Sequence, residues 1–278
     1  MTAGKTARVE DRIAGLDGAV VALSGGVDSS LLLALAARAL PAGKLVAVTA
    51  VGSVESEADI ESARSLAAGL GVAHECIVLD SLEIPGFADN TPLRCYLCRG
   101  QLHQALEKIR TERGFEAVLD GVIAEDSEDY RPGLKAAEEA GVLHPLAEAG
   151  MTKPEVREAS RLLGLPTAER PASPCLASRF PYGEKITIEG LQTVARAEEL
   201  LHGWDFPVVR VRHHDGGRLA RIEVPVEQVH RLCAEPLRSQ VTEAFRALGY
   251  TYVSVDLMGF RSGSLNEVLD LEGPASQV

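Results

Sequence analysis

Ser24-Gly-Gly-Val-Asp-Ser-Ser30 gathers two glycines, three hydroxyls and one carboxylate within one short string. Gly25 and Gly26 let the backbone turn tightly and bring several N–H groups to one side, and Ser24, Ser29 and Ser30 add hydroxyl donors. A helix opening here would add the partial positive charge of its N-terminus, which makes the string a cradle for phosphate groups. The Gly-Lys-Ser/Thr of a Walker A loop is absent, so a standard P-loop NTPase is not supported. Gly-Gly alone would be an ordinary strand-to-helix turn; the whole string behind a strand points to a nucleotide.

Cysteine supplies a second chemistry. Cys95-Tyr-Leu-Cys98 is flanked by Arg94 and Arg99, and Cys175 follows much later in Pro174-Cys-Leu-Ala-Ser-Arg179. A CxxC pair brings two thiolates close enough for one metal or cluster. The residues alone leave three readings open: a redox dithiol, a zinc site in want of a fourth ligand, or an iron–sulfur cluster with three cysteines and one open iron. Buried thiols without function fit poorly among Arg, Tyr and Pro. They fit Cys76 and Cys233, each in an apolar pattern.

Basic residues complete the set. Arg210 and Arg212 are spaced i, i+2 on a strand pattern and share one face. Ser178 and Arg179 follow Cys175, and Arg261 lies in a Gly-Ser-rich turn. Such guanidiniums hold phosphate and carboxylate bidentately, against the plainer alternative of solvated surface arginine. Glu223 is a partner for a metal or an arginine, and Lys153, at a helix start, is a candidate phosphate contact. His213 and His214 sit in a turn pattern and read as exposed.

The elements that must position these residues alternate. Gly18–Leu23, Lys44–Val51, Ala73–Leu79 and Ala117–Leu119 read as strands, with Val142–Leu146 as a fifth. Between and after them, Ser29–Leu40, Glu55–Leu70, Cys98–Arg113, Arg131–Ala140 and Thr152–Gly164 read as helices. Thr152-Lys-Pro-Glu155 is a capping box with Pro in the first turn. The alternation implies an α/β fold, a parallel sheet with helices on both faces. Leu165–Tyr182 carries four prolines and no period, and reads as a long functional loop. Beyond it come a helix over Thr187–Leu201, a hairpin of Pro207–Arg212 and Leu219–Val224, a helical stretch over Val226–Leu248 broken near Pro236, and a strand over Tyr250–Leu257. This end reads as a smaller C-terminal α/β domain, with Glu267–Val278 weakly ordered. The implied division is residues 1–165, a connecting loop over 166–185 that carries Cys175, and 186–278.

Composition bounds the function. Hydrophobic residues make up 46% and charged residues 24% of 278, which excludes a disordered chain. The longest apolar stretch, Leu31–Leu40, already contains Arg38, so no membrane-spanning helix is expected. The first residues lack the apolar run of a signal peptide, and a cytoplasmic protein is expected. Lys and Arg number 28 and Asp and Glu 40, and the net charge of −12 disfavours nucleic acid as a partner. Five cysteines, an odd number, argue against a disulfide framework.

SGGVDSS resembles the signature of the PP-loop ATP pyrophosphatases, which cleave ATP to AMP and pyrophosphate while adenylylating a substrate. The resemblance implies that Ser24, Gly25, Gly26, Asp28, Ser29 and Ser30 hold the pyrophosphate, with Asp28 on the magnesium (Mg2+) side. It places Val51, at the end of the second strand, beside adenine. Nearly the whole chain is similar to one branch, the LarE family of sulfur transferases. The matching segments are Arg94-Cys-Tyr-Leu-Cys98, the acidic Asp126–Asp129 loop running into Arg131-Pro-Gly133, Lys153–Arg157, Pro174–Phe180, Val209–Arg212, Ala220–Glu223 and Asp256–Gly263.

That family adenylylates a carboxylate of pyridinium-3,5-biscarboxylic acid mononucleotide and replaces it with a thiocarboxylate, for the nickel-pincer cofactor of lactate racemase. The resemblance implies Cys175, Asp28, Ser178 and Arg179 in catalysis. It implies Asp126 and Lys153 with the loop residues at ATP, and Arg210, Arg212, Glu223 and Arg261 at the anionic substrate. One type in the family sacrifices a lone cysteine, matching Cys175, to dehydroalanine. The other holds a [4Fe–4S] cluster on three cysteines, matching Cys95, Cys98 and Cys175, and takes sulfur from a sulfide donor. Three cysteines favour the cluster. The resemblance also implies a homo-oligomer. The competing functions are a PP-loop tRNA thiolase, disfavoured by charge; an ammonia-dependent synthetase, which has no need of three cysteines; and a noncatalytic nucleotide-binding module, disfavoured by the intact loop.

Overall fold

The computed structural model describes residues 2–128, 132–171, 174–261 and 263–271. The chain divides into two compact units, Met1–Phe87 with Pro92–Ser173, and Ala88–Thr91 with Pro174–Val278.

The first unit opens on a helix that the sequence reading did not anticipate, α1 (Thr2–Ala14), whose Val9 and Ile13 are buried one turn apart. There follow β1 (Ala19–Ala22), α2 (Val27–Ala39), β2 (Leu45–Val51), α3 (Glu57–Gly69), β3 (Ala73–Val78), α4 (Arg94–Arg113), β4 (Ala117–Leu119), α5 (Pro132–Glu139), α6 (Pro145–Glu148) and α7 (Lys153–Leu162). The four strands form one parallel sheet in the order β3-β2-β1-β4. Alternation along β1 sends Ala19 and Val21 into a core with Val9, Ile13 and the leucines of α2. Val20 faces the other way, with Leu106, Phe115 and Ala137. Both faces of the sheet are therefore covered, which is why its central strands read as unbroken apolar runs.

Three expectations need correction here. Val142–Leu146 forms no strand; Leu143 makes one bridge to Leu119, and Pro145, without an N–H, starts α6 instead. Cys76 is exposed, because β3 is the sheet edge and shows both its faces partly to solvent. α4 begins at Arg94 rather than at Cys98, so Cys95 lies in its first turn and Cys98 opens the next. The expected helix over Arg131–Ala140 is seen from Pro132; Arg131 and Asp129 lie outside the described residues.

The second unit contains α8 (Ile188–Gly203), β5 (Arg210–His214), β6 (Leu219–Glu223), α9 (Val229–Cys233), α10 (Leu237–Ala247), β7 (Tyr252–Val255) and α11 (Glu267–Leu271). β5 and β6 pair antiparallel and β7 joins β6 in parallel. Val211, Ala220, Ile222, Phe245 and Tyr250 centre its core. The segment Ala88–Thr91 is stitched in by Asn90, whose Nδ2 donates to the carbonyls of Pro181 at 2.6 Å and Glu184 at 3.0 Å. His213 is buried rather than exposed: it lies on β5, with Phe180 at 4.8 Å between ring centroids and the Tyr250 hydroxyl 3.0 Å from Nδ1. His214 is half-buried at the end of the same strand. Cys233 is exposed at the end of α9, not buried. Of the tail read as weakly ordered, Glu267–Leu271 is a helical turn, and 272–278 lie outside the described residues, as does Ser262.

Candidate functional site

In a sheet ordered β3-β2-β1-β4 the connections leave β1 towards one side and return beyond it to β4, so the crevice outside the carboxyl ends of β1 and β4 is the switch point where ligands bind in such folds. The Ser24–Ser30 string occupies it. Gly25 has φ +76°, open to glycine without strain, and a Cβ there would stand 2.2 Å from the Asp59 carbonyl oxygen. Gly26 is the N-cap of α2, so the loop's N–H groups and the helix terminus face one side. Ser29 Oγ shapes the turn: it accepts the Ser24 N–H at 3.2 Å and lies 3.0 Å from Ser24 Oγ.

Asp28 and Lys153 meet across 125 positions of sequence: Lys153 Nζ donates to Asp28 Oδ2 at 2.5 Å. Asp28 Oδ1 is buried and has no hydrogen-bond partner among the described residues, and neither does the buried Ser30 hydroxyl. A carboxylate oxygen left open beside a lysine, at a cradle of N–H groups, suits a polyphosphate with its divalent cation. Lys153 is held by its own backbone, whose N–H donates to Glu125 Oε2 at 2.8 Å, while the capping box of α7 closes as Glu155 accepts the Thr152 N–H at 3.0 Å. Asp126 serves the local turn, accepting the Ile123 N–H at 3.1 Å. Val51 ends β2, half-buried.

Gly121 is a site residue that sequence reasoning missed. A Cβ at this position would lie 2.7 Å from the Ser29 nitrogen, so the loop after β4 runs directly over the start of α2. Its neighbour Asp120 accepts the Val122 N–H at 3.1 Å and stands 2.6 Å from His144 Nδ1, with Arg99 at 3.5 Å. Burial opposes the Asp120 charge, but His144 and Arg99 hold its pKa below the usual carboxylate range. The Asp-Gly pair after a short strand was the available signal.

Cys95 and Cys98 lie one helical turn apart on one face of α4. The Cys98 thiol is 3.4 Å from the Ser81 hydroxyl, and burial pushes its pKa up despite that bond. A thiol in this state becomes a ligand when a metal displaces its proton. Among the described residues no group of three or more His, Cys, Asp or Glu side chains is arranged to hold a metal ion. Cys175 is exposed and belongs to the second unit.

Glu55 also escaped the sequence reading, which placed it in the first turn of a helix that in fact starts at Glu57 behind a Ser56 cap. Its Oε2 is buried without a hydrogen-bond partner among the described residues, and burial, reinforced by Asp80 against three backbone N–H groups, pushes its pKa up to about 7. The folded state thus keeps a proton that the unfolded chain gives up near pH 4.5, and stability should fall as pH rises from there to about 7. Glu55→Gln removes that loss. Its stability relative to wild type should rise by about 1–3 kcal/mol between pH 5 and pH 8 in urea titrations. Parallel pH profiles would show that Glu55 is not held protonated.

In the second unit the predicted substrate arginines are brought together, each with a partner. Arg212 forms a buried bidentate pair with Glu223 at 2.9 and 2.8 Å and donates to the Ser178 carbonyl at 2.7 Å and the Ser264 hydroxyl at 2.9 Å. Arg179 forms a second with Glu198 at 2.8 and 2.7 Å and donates to the Pro174 and Cys175 carbonyls at 2.7 and 3.2 Å and to the Ser178 hydroxyl at 2.9 Å. Arg179 therefore fixes the turn on which Cys175 sits. Of the two roles open to Glu223, the structure shows the arginine partner; Arg221 also donates to it at 3.1 Å. Arg210 lies over Phe260, 5.2 Å from its centroid, and burial beside the Arg179 guanidinium pushes its pKa down to about 10. Arg261 pairs with the exposed Glu267 at 3.0 Å.

Residues 6–84, which span the phosphate loop, match the NAD synthase family. A pyridinium-3,5-bisthiocarboxylic acid mononucleotide synthase of Lactiplantibacillus plantarum is 38% identical, over 96% of this chain and 95% of its own length. An uncharacterized protein of Synechocystis, slr1717, is 43% identical over 91% and 94%. A tRNA-specific 2-thiouridylase of Azorhizobium caulinodans is 32% identical, but over only 60% of this chain and 53% of its length. No helix among the described residues is long and apolar enough to cross a membrane. The end-to-end match joins with the phosphate loop at the switch point, and the chain belongs to the LarE family of ATP-dependent sulfur transferases among the PP-loop enzymes.

Proposed function

We propose that the protein adenylylates a carboxylate of pyridinium-3,5-biscarboxylic acid mononucleotide and converts it to a thiocarboxylate. What carries the reading is the phosphate loop with Asp28 Oδ1 open beside Lys153, in a chain alike from end to end to a synthase of the bisthiocarboxylic mononucleotide. The N–H groups of Ser24–Ser30 and Lys153 would bind the β- and γ-phosphates, Asp28 would hold a magnesium ion that screens their charge, and adenine would lie beside Val51. A substrate carboxylate oxygen attacks the α-phosphorus; the bond to the β-phosphate oxygen breaks, pyrophosphate leaves, and an acyl adenylate remains. Sulfur then bonds to the acyl carbon and AMP departs with the electron pair of the broken C–O bond.

For the sulfur, Cys95, Cys98 and Cys175 are the proposed ligands of a [4Fe–4S] cluster. The two thiols on one face of α4 are soft donors suited to two of its irons, and the exposed Cys175 supplies the third. Such a cluster would supply an open iron able to carry an extra sulfide taken from a sulfide donor. Arg210, Arg212 and Arg261, with Glu223, Ser178 and Arg179, make the proposed anionic-substrate region. Glu223 neutralises Arg212 and Glu198 neutralises Arg179, so the region presents its guanidiniums already oriented.

With ATP, magnesium and the dicarboxylic mononucleotide, AMP and pyrophosphate should form in equal amounts. Neither should form with the mononucleotide omitted or replaced by tRNA. Equal release with tRNA alone would favour the thiolase reading.

A further inference from the structure

The two elements that hold the segment leading to Cys175 both also touch the phosphate loop. From α7, Arg157 donates to the Ala168 carbonyl at 2.6 Å and to the Arg170 carbonyl at 2.9 Å. One turn earlier on the same helix, Lys153 holds Asp28. From the first turn of α3, Asp59 accepts from Arg170 Nη2 through Oδ1 at 2.7 Å, and the pair is largely shielded, with side chains 14% and 25% exposed. The main-chain carbonyl of the same Asp59 is the atom against which Gly25 is packed, and Ser62, on the next turn of α3, donates to the Gly25 carbonyl at 3.2 Å. One residue thus touches the loop with its backbone and grips the segment at 170 with its side chain.

We propose that the Asp59–Arg170 pair is a positioning device that couples occupancy of the phosphate loop to the segment leading to Cys175. Filling the loop with polyphosphate fixes Gly25. Gly25 has no side chain to yield, so the Asp59 carbonyl and the first turn of α3 are fixed with it. The Asp59 carboxylate, itself braced by the Ser56 hydroxyl at 2.6 Å, then presents a fixed acceptor to Arg170. Held at 168 and 170, residues 165–171 are ordered while nucleotide is bound, which is when the acyl adenylate needs sulfur rather than water. Neither Arg170 nor Asp59 is required to touch ATP or substrate. The proposal rests on the sulfur-transfer reading above.

The test uses full-length protein and the variants Arg170→Ala, Arg170→Lys and the exchanged pair Asp59→Arg/Arg170→Asp. A nonhydrolysable ATP analogue should slow amide hydrogen exchange over residues 165–171 in wild type by tenfold or more, and should not do so in Arg170→Ala although the analogue still binds. In turnover, Arg170→Ala should keep substrate-dependent ATP–pyrophosphate exchange within about twofold of wild type. Its thiocarboxylate per AMP released should fall at least tenfold, the difference returning as free carboxylate. Arg170→Lys should recover most of the loss, and so should the exchanged pair where it folds. Equal analogue-induced protection in wild type and Arg170→Ala overturns the coupling, and so does a parallel fall of exchange and transfer, which marks a merely structural residue. Absence of substrate-dependent exchange in wild type would overturn the sulfur-transfer reading instead, and the hydrogen-exchange comparison still decides the coupling.

Discussion

Purified without oxygen and given ATP, magnesium, the mononucleotide and sulfide, wild-type protein should turn over repeatedly with its mass unchanged, whereas Cys95→Ala should deliver no sulfur. A thiolate bound to iron is a ligand and survives turnover; a sacrificed cysteine leaves dehydroalanine, lighter by one hydrogen sulfide. Cys95 has no task in the sacrificial route, so there Cys95→Ala would keep its single turnover. In the cluster route it removes one of three ligands, and the cluster is lost or destabilised. Cys95 is half-buried on the first turn of α4, where Ala is a better helix former than Cys, so the fold should persist. Cys175→Ala inactivates both routes and decides nothing. Product per enzyme, iron content and intact mass are the measurements. One turnover with dehydroalanine at 175, together with an active Cys95→Ala, would sink the cluster and leave Cys95 and Cys98 as structural or zinc-binding thiols.

Asp28→Ala should abolish substrate-dependent pyrophosphate release while leaving the protein folded. The substitution deletes the open Oδ1, the proposed cation ligand, and also unpairs Lys153, so the loop loses a carboxylate and the orientation of its lysine. Removing one preorganised electrostatic group costs on the order of 10²–10³ in rate, and two are disturbed here. Stability should hardly change, since both side chains are part-exposed and such pairs contribute about 0–1 kcal/mol. Pyrophosphate release is measured beside a thermal melt. Wild-type rates in a folded Asp28→Ala would remove Asp28 from the site.

How much of this was legible from residues in order depended on the range of the interaction. The phosphate loop was legible because its causes are local: an apolar strand, two glycines, and a helix whose N-terminus follows at once. The capping box of α7 was legible for the same reason, being closed by residues three apart. The strand expected at Val142–Leu146 failed because one local feature, Pro145, outweighed an apolar run. Cys76 and Cys233 failed because an apolar pattern says that a residue belongs to an element, not whether that element is covered. His213 failed in the opposite direction, since nothing in its neighbours announces Phe180 and Tyr250 across the fold.

Local order along the chain thus determined the alternation of strands and helices, the phosphate cradle, the CxxC pair and the shared face of Arg210 and Arg212. Tertiary structure alone decided which charges are spent on the protein itself. Glu198 and Glu223 consume Arg179 and Arg212, Lys153 is brought to Asp28, and Gly121 is laid over the start of α2. The physical reason is range. Backbone turns and periodicities are set by neighbours a few residues away, whereas ion pairing and desolvation depend on whatever folding brings within a few ångströms, here up to 150 positions apart in the Lys5–Glu155 pair.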